Sequence, residues 1–449
     1  MNRSFAAQFS SDHQLVAQRD LIPPQATDPS KIVVSVEGVI KLLRTLKNGK
    51  SPGPDDIRKE DLVIALAIVA KCLSYIFNVS LASSRLPEDW KLAHVTPLHK
   101  KGPTDQPNNY RPISLTSIPC KLLEHIVLHH LNIALDPVLY NRQHGFRKGL
   151  SCETQLCGTF HDIARNAEKR CTTHAVVMDF SKAFDKVSHQ LLMNKLSNIP
   201  NINCQILDWV HNFLLNRRQK VVVSGQTSTE SLVTSGVPQG SVLRPTLFLA
   251  YISDLPEHVN CNISLFADDT LLYQTVNDIA DKQSFQADIN ALQTWANIWG
   301  MSFNASKCST LVFNDHGESP DARYTLGGTS LEIVSEIKYL GVVLQSDMKF
   351  NTHITNKINI ANRQLGLIKR ALFNAPESAK LLAYTSLCRP HVEYASSVWD
   401  PHLDYSNHDI EKVQNKAIRF ICNLKGRDII TETRKKLDLE TFVESRRQL

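Results

Sequence analysis

Ser264-Leu-Phe-Ala-Asp-Asp-Thr-Leu-Leu-Tyr273 is the stretch whose reading decides the fold. Apolar residues run away from Asp268 and Asp269 on both sides, a pattern that predicts two buried strands joined by a tight two-residue turn. Two carboxylates at the tip of such a hairpin concentrate negative charge above a buried base, so they ask for a cation. A third carboxylate, Asp179, ends another apolar run, Thr173-His-Ala-Val-Val-Met-Asp179, and can supply the remaining ligand. Together the three point to a two-metal site for phosphoryl transfer. Taken alone, a pair of acids in a turn is a solvated loop tip. The site reading stands because neither strand offers a nearby Lys or Arg, and because further phosphate-handling signals follow in order along the chain.

The 449 residues suffice for two or three domains and a large core, and a hydrophobic content of 42% is that of a globular protein rather than a disordered one. Fifty Lys and Arg against 44 Asp and Glu give a formal charge of +6, which permits a nucleic-acid partner without requiring one. Ten cysteines, with no Cys-x-x-Cys pair and no secretory signal at Met1, read as buried thiols in a reducing compartment. The longest apolar run, Leu62 to Ala70, is short for a bilayer and bracketed by charges, so it reads as a core helix and no membrane partner is expected.

Residues 1–35 read as a loose polar leader containing Pro23-Pro24. Helical spacing follows with Val39, Leu42, Leu43 and Leu46 on one face, then over Asp61 to Ser83 and over Lys121 to Leu135. Short β-type segments, Ala93 to Leu98 and Arg111 to Leu115, flank the basic turn His99-Lys-Lys-Gly102. Strand and helix then alternate as far as the aspartate hairpin, which gives an α/β or α+β core. Beyond it, Phe285, Ile289, Leu292, Trp295 and Trp299 form an aromatic-rich helical stripe that reads as core. From about Thr352 the chain reads as a separate helical domain, with Ile354, Ile358, Ala361, Leu365 and Ile368 as one face and Ile410, Val413, Ala417 and Ile421 as another.

Magnesium binds through a few carboxylates plus substrate phosphates, a role open to Asp179 and Asp268, with Asp269 either a ligand or a neighbour that tunes the site. Ser235-Gly-Val-Pro-Gln-Gly-Ser241 lets backbone approach a flat or phosphorylated ligand, although by itself it is a plain loop. Lys100, Lys101, Arg111, Arg147 and Lys148 can neutralise a triphosphate or a nucleic-acid backbone, although singly each reads as a solvated charge. Gly49-Lys-Ser51 lacks the opening glycine and following helix of a P-loop, and His125 with His129 has no third zinc ligand.

With these residues in view, the chain resembles the reverse transcriptases of non-LTR (LINE-type, jockey-like) retrotransposons, from about residue 36 to the C-terminus. The resemblance runs in order through Lys50 to Asp55, Pro97 to Gly102, Asn109 to Leu115, Gln143 to Gly149 and Asp179 to Asp185. It continues through Gly236 to Ser241, Phe266 to Asp269, Phe303 to Cys308 and Tyr339 to Gly341. It implies an α+β right-hand polymerase with fingers (36–172, with part of the palm), a palm with an antiparallel sheet (173–345), and a helical thumb and C-terminal region (346–449). It implies an RNA-directed DNA polymerase that acts with an RNA template, a DNA primer or target site, deoxynucleoside triphosphates and two Mg2+ ions, Mn2+ being able to substitute. Asp179, Asp268 and Asp269 look like its catalytic, metal-binding carboxylates, and Lys307 like the lysine that helps pyrophosphate leave. Lys100, Lys101, Arg111, Phe184, Gln239 and Gly240 look like nucleotide-binding positions, with Phe184 crowding the sugar 2′ carbon. Tyr339, Leu340 and Gly341 look like the primer grip.

Two departures accompany the match. Val242 to Phe248 carries Arg244 where the family pattern has glycine, and Thr246 where it has leucine. Arginine in place of a glycine that needs positive φ costs about 1 kcal/mol or more and is expected to displace Gln239. That leaves a catalytically impaired nucleic-acid-binding remnant as the alternative, and an unrelated two-metal nuclease as a weaker one. Such elements usually encode an endonuclease upstream of the polymerase, and no endonuclease domain is expected in this chain.

Overall fold

The computed structural model describes residues 1–9, 32–314, 320–401, 404–424 and 430–448. The chain packs as two compact units that alternate in sequence. The first is Met1–Asn141 with Phe180–Asn260 and Asn290–Asn304, and the second is Arg142–Asp179 with Cys261–Ile289 and Ala305–Leu449.

In the first unit the strand Leu92–His99 pairs antiparallel with Tyr110–Leu115 and parallel with Arg217–Val223, which also carries Gln226–Thr227 and Ser231–Val233. Arg217, Gln219 and Val221 alternate inward along their strand, as a pleat with one covered face requires. Ser35 caps the helix Val36–Thr45 by accepting from the Gly38 amide, and Val39 and Leu43 are buried on its inner face.

The helix expected over Asp61 to Ser83 is broken at Ala65 (φ −118°, ψ 50°) into Lys59–Ile64 and Leu66–Ser83. Leu66–Ser83 is longer than its apolar run suggested, and by length and composition it could cross a bilayer. It buries Ala70, Leu73, Phe77 and Leu81 and packs against Val36–Thr45 and Cys204–Leu214, while Ile68 and Tyr75 are exposed. It is therefore a core helix on one side only.

The N-terminus departs from the expected leader, because Asn2–Ala6 is helical and Phe5 is buried with Val95 and Val221. Asn2 donates to Thr229 O (2.7 Å) and Ser231 Oγ (2.9 Å) and accepts from Gln219 Nε2 (3.1 Å). Residues 10–31, with Pro23 and Pro24, lie outside the described residues.

The second unit is built on a five-stranded sheet in the order Glu332–Val334, Ser309–Phe313, Thr173–Met178, Asp269–Thr275, Asn262–Phe266. All its pairings are antiparallel except Glu332–Val334 with Ser309–Phe313. The helix Cys152–Glu168, opened by a Ser151–Thr154 capping box, contributes Leu156, Phe160 and Ile163 to the core. The later helices Asn351–Ala371 and Asp404–Ile421 bury Ile354, Ala361, Leu365, Ile368, Ile410, Val413, Ala417 and Ile421, the faces their spacing predicts. These side chains share one hydrophobic cluster with Leu271, Tyr273 and Phe313 of the sheet, so this region is continuous with the sheet's core rather than packed apart from it.

All ten cysteines are free thiols, but only Cys120, Cys308 and Cys388 are buried, and Cys72 and Cys204 are exposed. General burial of the cysteines is thus corrected.

Candidate active site

The aspartate hairpin forms between Asn262–Phe266 and Asp269–Thr275, with Phe266 opposite Asp269. The two turn residues are Ala267 and Asp268, so Asp269 opens the second strand instead of sharing the turn. Ala267 takes a left-handed conformation (φ +54°), which a two-residue turn between twisted strands demands and an alanine resists.

Met178 lies opposite Thr270 in the neighbouring antiparallel pair, so the residues next in line, Asp179 and Asp269, arrive at the same end of the sheet. The Asp179 amide donates to Cys308 Sγ (3.5 Å), and Asp179 Oδ2 accepts from Lys307 Nζ at 2.6 Å. Asp269 keeps a solvent-facing surface, yet packing around its carboxyl, then the charges of Asp268 and Asp179, push its pKa up to about 6 against the opposing pull of Lys307.

Asp179 is paired with Lys307, and Asp269 feels the charges of Asp268, Asp179 and Lys307 together, so carboxylate charge outnumbers ammonium charge around Asp269 and sits on hard oxygens, the donor chemistry that suits Mg2+. Among the described residues no group of three His, Cys, Asp or Glu side chains is arranged as a ready-made metal cage. Carboxylate oxygens are the donors that divalent ions of this kind take alongside substrate phosphates.

The hairpin turn is held by a residue to which the sequence assigned no role. Gln143, 2% exposed, accepts from the amides of Ala267 and Gly145 through Oε1, both at 2.9 Å, and its Nε2 donates to Ala267 O at 3.4 Å. His144 N donates to Leu265 O (2.9 Å) and Leu265 N to Arg142 O (3.0 Å), which lays this segment along the hairpin's outer strand. A Cβ on Gly145 would stand 2.3 Å from Ala267 N, so this close approach requires glycine. Farther down the sheet, Asp162 accepts from Arg142 Nη1 (2.7 Å) and from the Tyr273 hydroxyl (2.6 Å).

The residues expected to bind nucleotide lie in the first unit. Lys100 and Lys101 are exposed in the turn between Leu92–His99 and Tyr110–Leu115, and exposed Arg111 pairs with Leu98 beside that turn. Gln239 O accepts from Ser114 N at 2.7 Å, which ties its loop to the Arg111 strand. Gly240 adopts φ +128°, and a Cβ there would meet Ser114 O at 2.2 Å, so glycine is required on both counts. A second overlooked residue supports this loop. Fully buried Glu124 accepts from Ser241 Oγ (2.5 Å), Val242 N (2.7 Å) and Leu243 N (3.3 Å), placing a carboxylate at the N-terminal end of the helix Arg244–Tyr251.

Arg244 lies beyond the loop, at the start of the helix. It opens that helix with ordinary helical geometry, followed by Pro245, and its side chain donates to Val237 O at 2.6 Å. Thr246 is buried and donates to Asn132 Oδ1 at 3.3 Å. Phe184, half-buried in the short turn Ala183–Asp185, stacks on Phe248 with ring centroids 4.2 Å apart. In the second unit, Tyr339 is buried and pairs with Val342, while Leu340 and Gly341 form the turn between their strands. The Leu340 carbonyl accepts from the Tyr394 hydroxyl at 2.8 Å.

A family model described as "Reverse transcriptase (RNA-dependent DNA polymerase)" matches residues 98–344. The chain belongs to this reverse transcriptase family, and its fold class is the α+β right-hand polymerase. It is 28% identical, over 97% of its length and 50% of the relative's, to "Probable RNA-directed DNA polymerase from transposon BS" of Drosophila melanogaster. It is 30% identical, over 88% of its length and 45% of the relative's, to "RNA-directed DNA polymerase from mobile element jockey" of the same organism. Among solved structures, apo telomerase from Candida tropicalis aligns with a TM-score of 0.45 at 11% identity, covering 78% of this chain and 64% of that one. The chain spans about half the length of the curated relatives it matches. Proteins of this family generally use divalent metal ions.

Proposed function

We propose that this chain is the RNA-directed DNA polymerase of a non-LTR retrotransposon, extending a DNA primer or target site with deoxynucleotides on an RNA template. The observation that carries the proposal is the strand register that brings Asp179 and Asp269 to one sheet end beside Asp268 and Lys307, where Asp269 is pushed up to about 6 by crowding. On this reading Asp179, Asp268 and Asp269 are the catalytic carboxylates and hold the divalent cations. Two Mg2+ ions, with Mn2+ able to replace them, would favour ionisation of the attacking hydroxyl and steady the departing pyrophosphate.

Lys307 supplies positive charge or a proton to the leaving pyrophosphate. Lys100, Lys101 and Arg111 neutralise the triphosphate, Gln239 and Gly240 lie against the incoming nucleotide, and Phe184 crowds its 2′ position. Tyr339, Leu340 and Gly341 steady the primer end. Residues 36–172, 173–345 and 346–449 are read as fingers with part of the palm, palm, and thumb with the C-terminal region.

The alternative is a catalytically impaired nucleic-acid-binding remnant in which Arg244 and Thr246 spoil the nucleotide site; it predicts salt-dependent RNA or DNA binding without extension. Purified protein given an RNA template, a DNA primer, deoxynucleotides and Mg2+ extends the primer on this proposal, and Asp268→Asn abolishes extension. Extension that survives the substitution refutes the assignment.

A further inference from the structure

Arg244 stands where the family pattern has glycine, and its side chain is engaged on three sides rather than turned to solvent. Its Nη1 donates to Val237 O at 2.6 Å, its Nη2 lies 3.6 Å from Asp185 Oδ1, and its guanidinium carbon sits 4.4 Å from the centroid of the Phe184 ring. The side chain is 14% exposed. Phe248, one helical turn after Arg244, stacks on the same ring, so two residues of one helix hold Phe184.

The backbone around Phe184 is secured as well. Val237 N donates to Phe184 O (3.0 Å), Gly236 N to Val187 O (2.7 Å) and Ser235 Oγ to Asp185 O (2.8 Å). The main chain here is tied down, and the Phe184 ring is packed by Phe248 and overlain by the Arg244 guanidinium.

We propose that Arg244 is a positioning residue that sharpens discrimination against ribonucleotides by bracing Phe184, and that in this chain it does so through contacts a glycine cannot make. The inference rests on the reading of Phe184 as the residue facing the sugar 2′ carbon. A barrier to a single hydroxyl works only while it keeps its place, since a pocket discriminates against an added group only through the contacts it holds fixed. The planar guanidinium suits the task, since one group stacks on the ring while its edge bonds a carbonyl and pairs with a carboxylate.

The test compares kcat/KM for dCTP and CTP in primer extension by wild type, Arg244→Gly, Phe184→Val and the double variant. Arg244→Gly lowers the deoxy-over-ribo ratio about five- to thirtyfold, the span of a partly desolvated cation–π contact at about 1.4 kcal/mol per tenfold. The change appears as a lower KM for CTP, whereas a general loss of fold depresses both nucleotides alike. Phe184→Val lowers the ratio further, and the double variant matches Phe184→Val because Arg244 acts through the ring. A ratio unchanged by Arg244→Gly, or an additional fall in the Phe184→Val background, overturns the inference while leaving the reading of Phe184 intact. A ratio unchanged by Phe184→Val instead overturns that reading. If wild type extends no primer, the proposed function fails on its own, and the same ratios are read from equilibrium binding of dCTP and CTP in Mg2+ to the same four proteins. Equal ratios for wild type and Arg244→Gly then overturn the inference.

Discussion

Replacing Gln143 with methionine, nearly the same shape but without an amide, releases the turn that carries Asp268. Two buried amides, those of Ala267 and Gly145, lose the oxygen that now accepts from both at 2.9 Å. Each orphaned donor costs about 1–3 kcal/mol. Ala267 in its left-handed conformation carries a further ~1–2 kcal/mol of local strain, which persists only while surrounding contacts over-determine it. Partial relaxation of the turn recovers some of this, so the net loss of stability is about 2–4 kcal/mol, and the relaxation itself moves Asp268 and Asp269 off their positions. A displacement near 1 Å at reacting groups lowers rate about 100-fold. Single-turnover primer extension gives the rate, urea unfolding gives the stability, and hydrogen exchange at the Ala267 amide reports the turn directly. Gly145→Ala, whose methyl would stand 2.3 Å from Ala267 N, should reproduce the defect from the opposite side. Extension by Gln143→Met within threefold of wild type, with unchanged exchange at Ala267, refutes the reasoning.

Two further predictions concern buried ionisable groups. Glu124→Ala strips Ser241, Val242 and Leu243 of their common acceptor and removes a negative charge whose field supports buried Arg217, so it costs about 3–5 kcal/mol in urea unfolding. A loss below about 1 kcal/mol contradicts it. His353 is pushed down to about 3, first by burial and then by Lys357 and Lys338, while its Nδ1 accepts from Val343 N at 3.1 Å. Between pH 6.5 and 3 the unfolded chain therefore binds a proton that the folded chain does not, and stability falls on acidification. From pH 7.5 to 5 wild type should lose about 2 kcal/mol more than His353→Asn, measured by urea midpoints at the two values, and equal losses rule the mechanism out.

The parts of this protein legible in sequence are those written in neighbouring residues. Apolar runs beside Asp179 and around Asp268-Asp269 announced strands ending in carboxylates, and those strands lie side by side in the sheet. The 3.6-residue spacing of Ile410, Val413, Ala417 and Ile421 announced their buried face. The break at Ala65 and the packing of Phe5 against Val95 and Val221 escaped notice, the first because nothing in composition marks it and the second because a short polar segment carries no period of its own.

The same boundary runs through the site. Sequence alone determined which residue types gather and in what order, down to the aspartate pair on a hairpin, because side-chain chemistry and strand periodicity are local properties of the chain. Tertiary structure decided that Asp268 sits in the turn while Asp269 begins a strand, that Gln143 grips a turn 124 residues away, and that Glu124 caps a loop 117 residues away. It also decided that the Arg244 guanidinium lies over the Phe184 ring and bonds Val237 O. Buried polar groups must find partners wherever packing places them, and that choice is made across the core between segments whose sequences carry no record of one another.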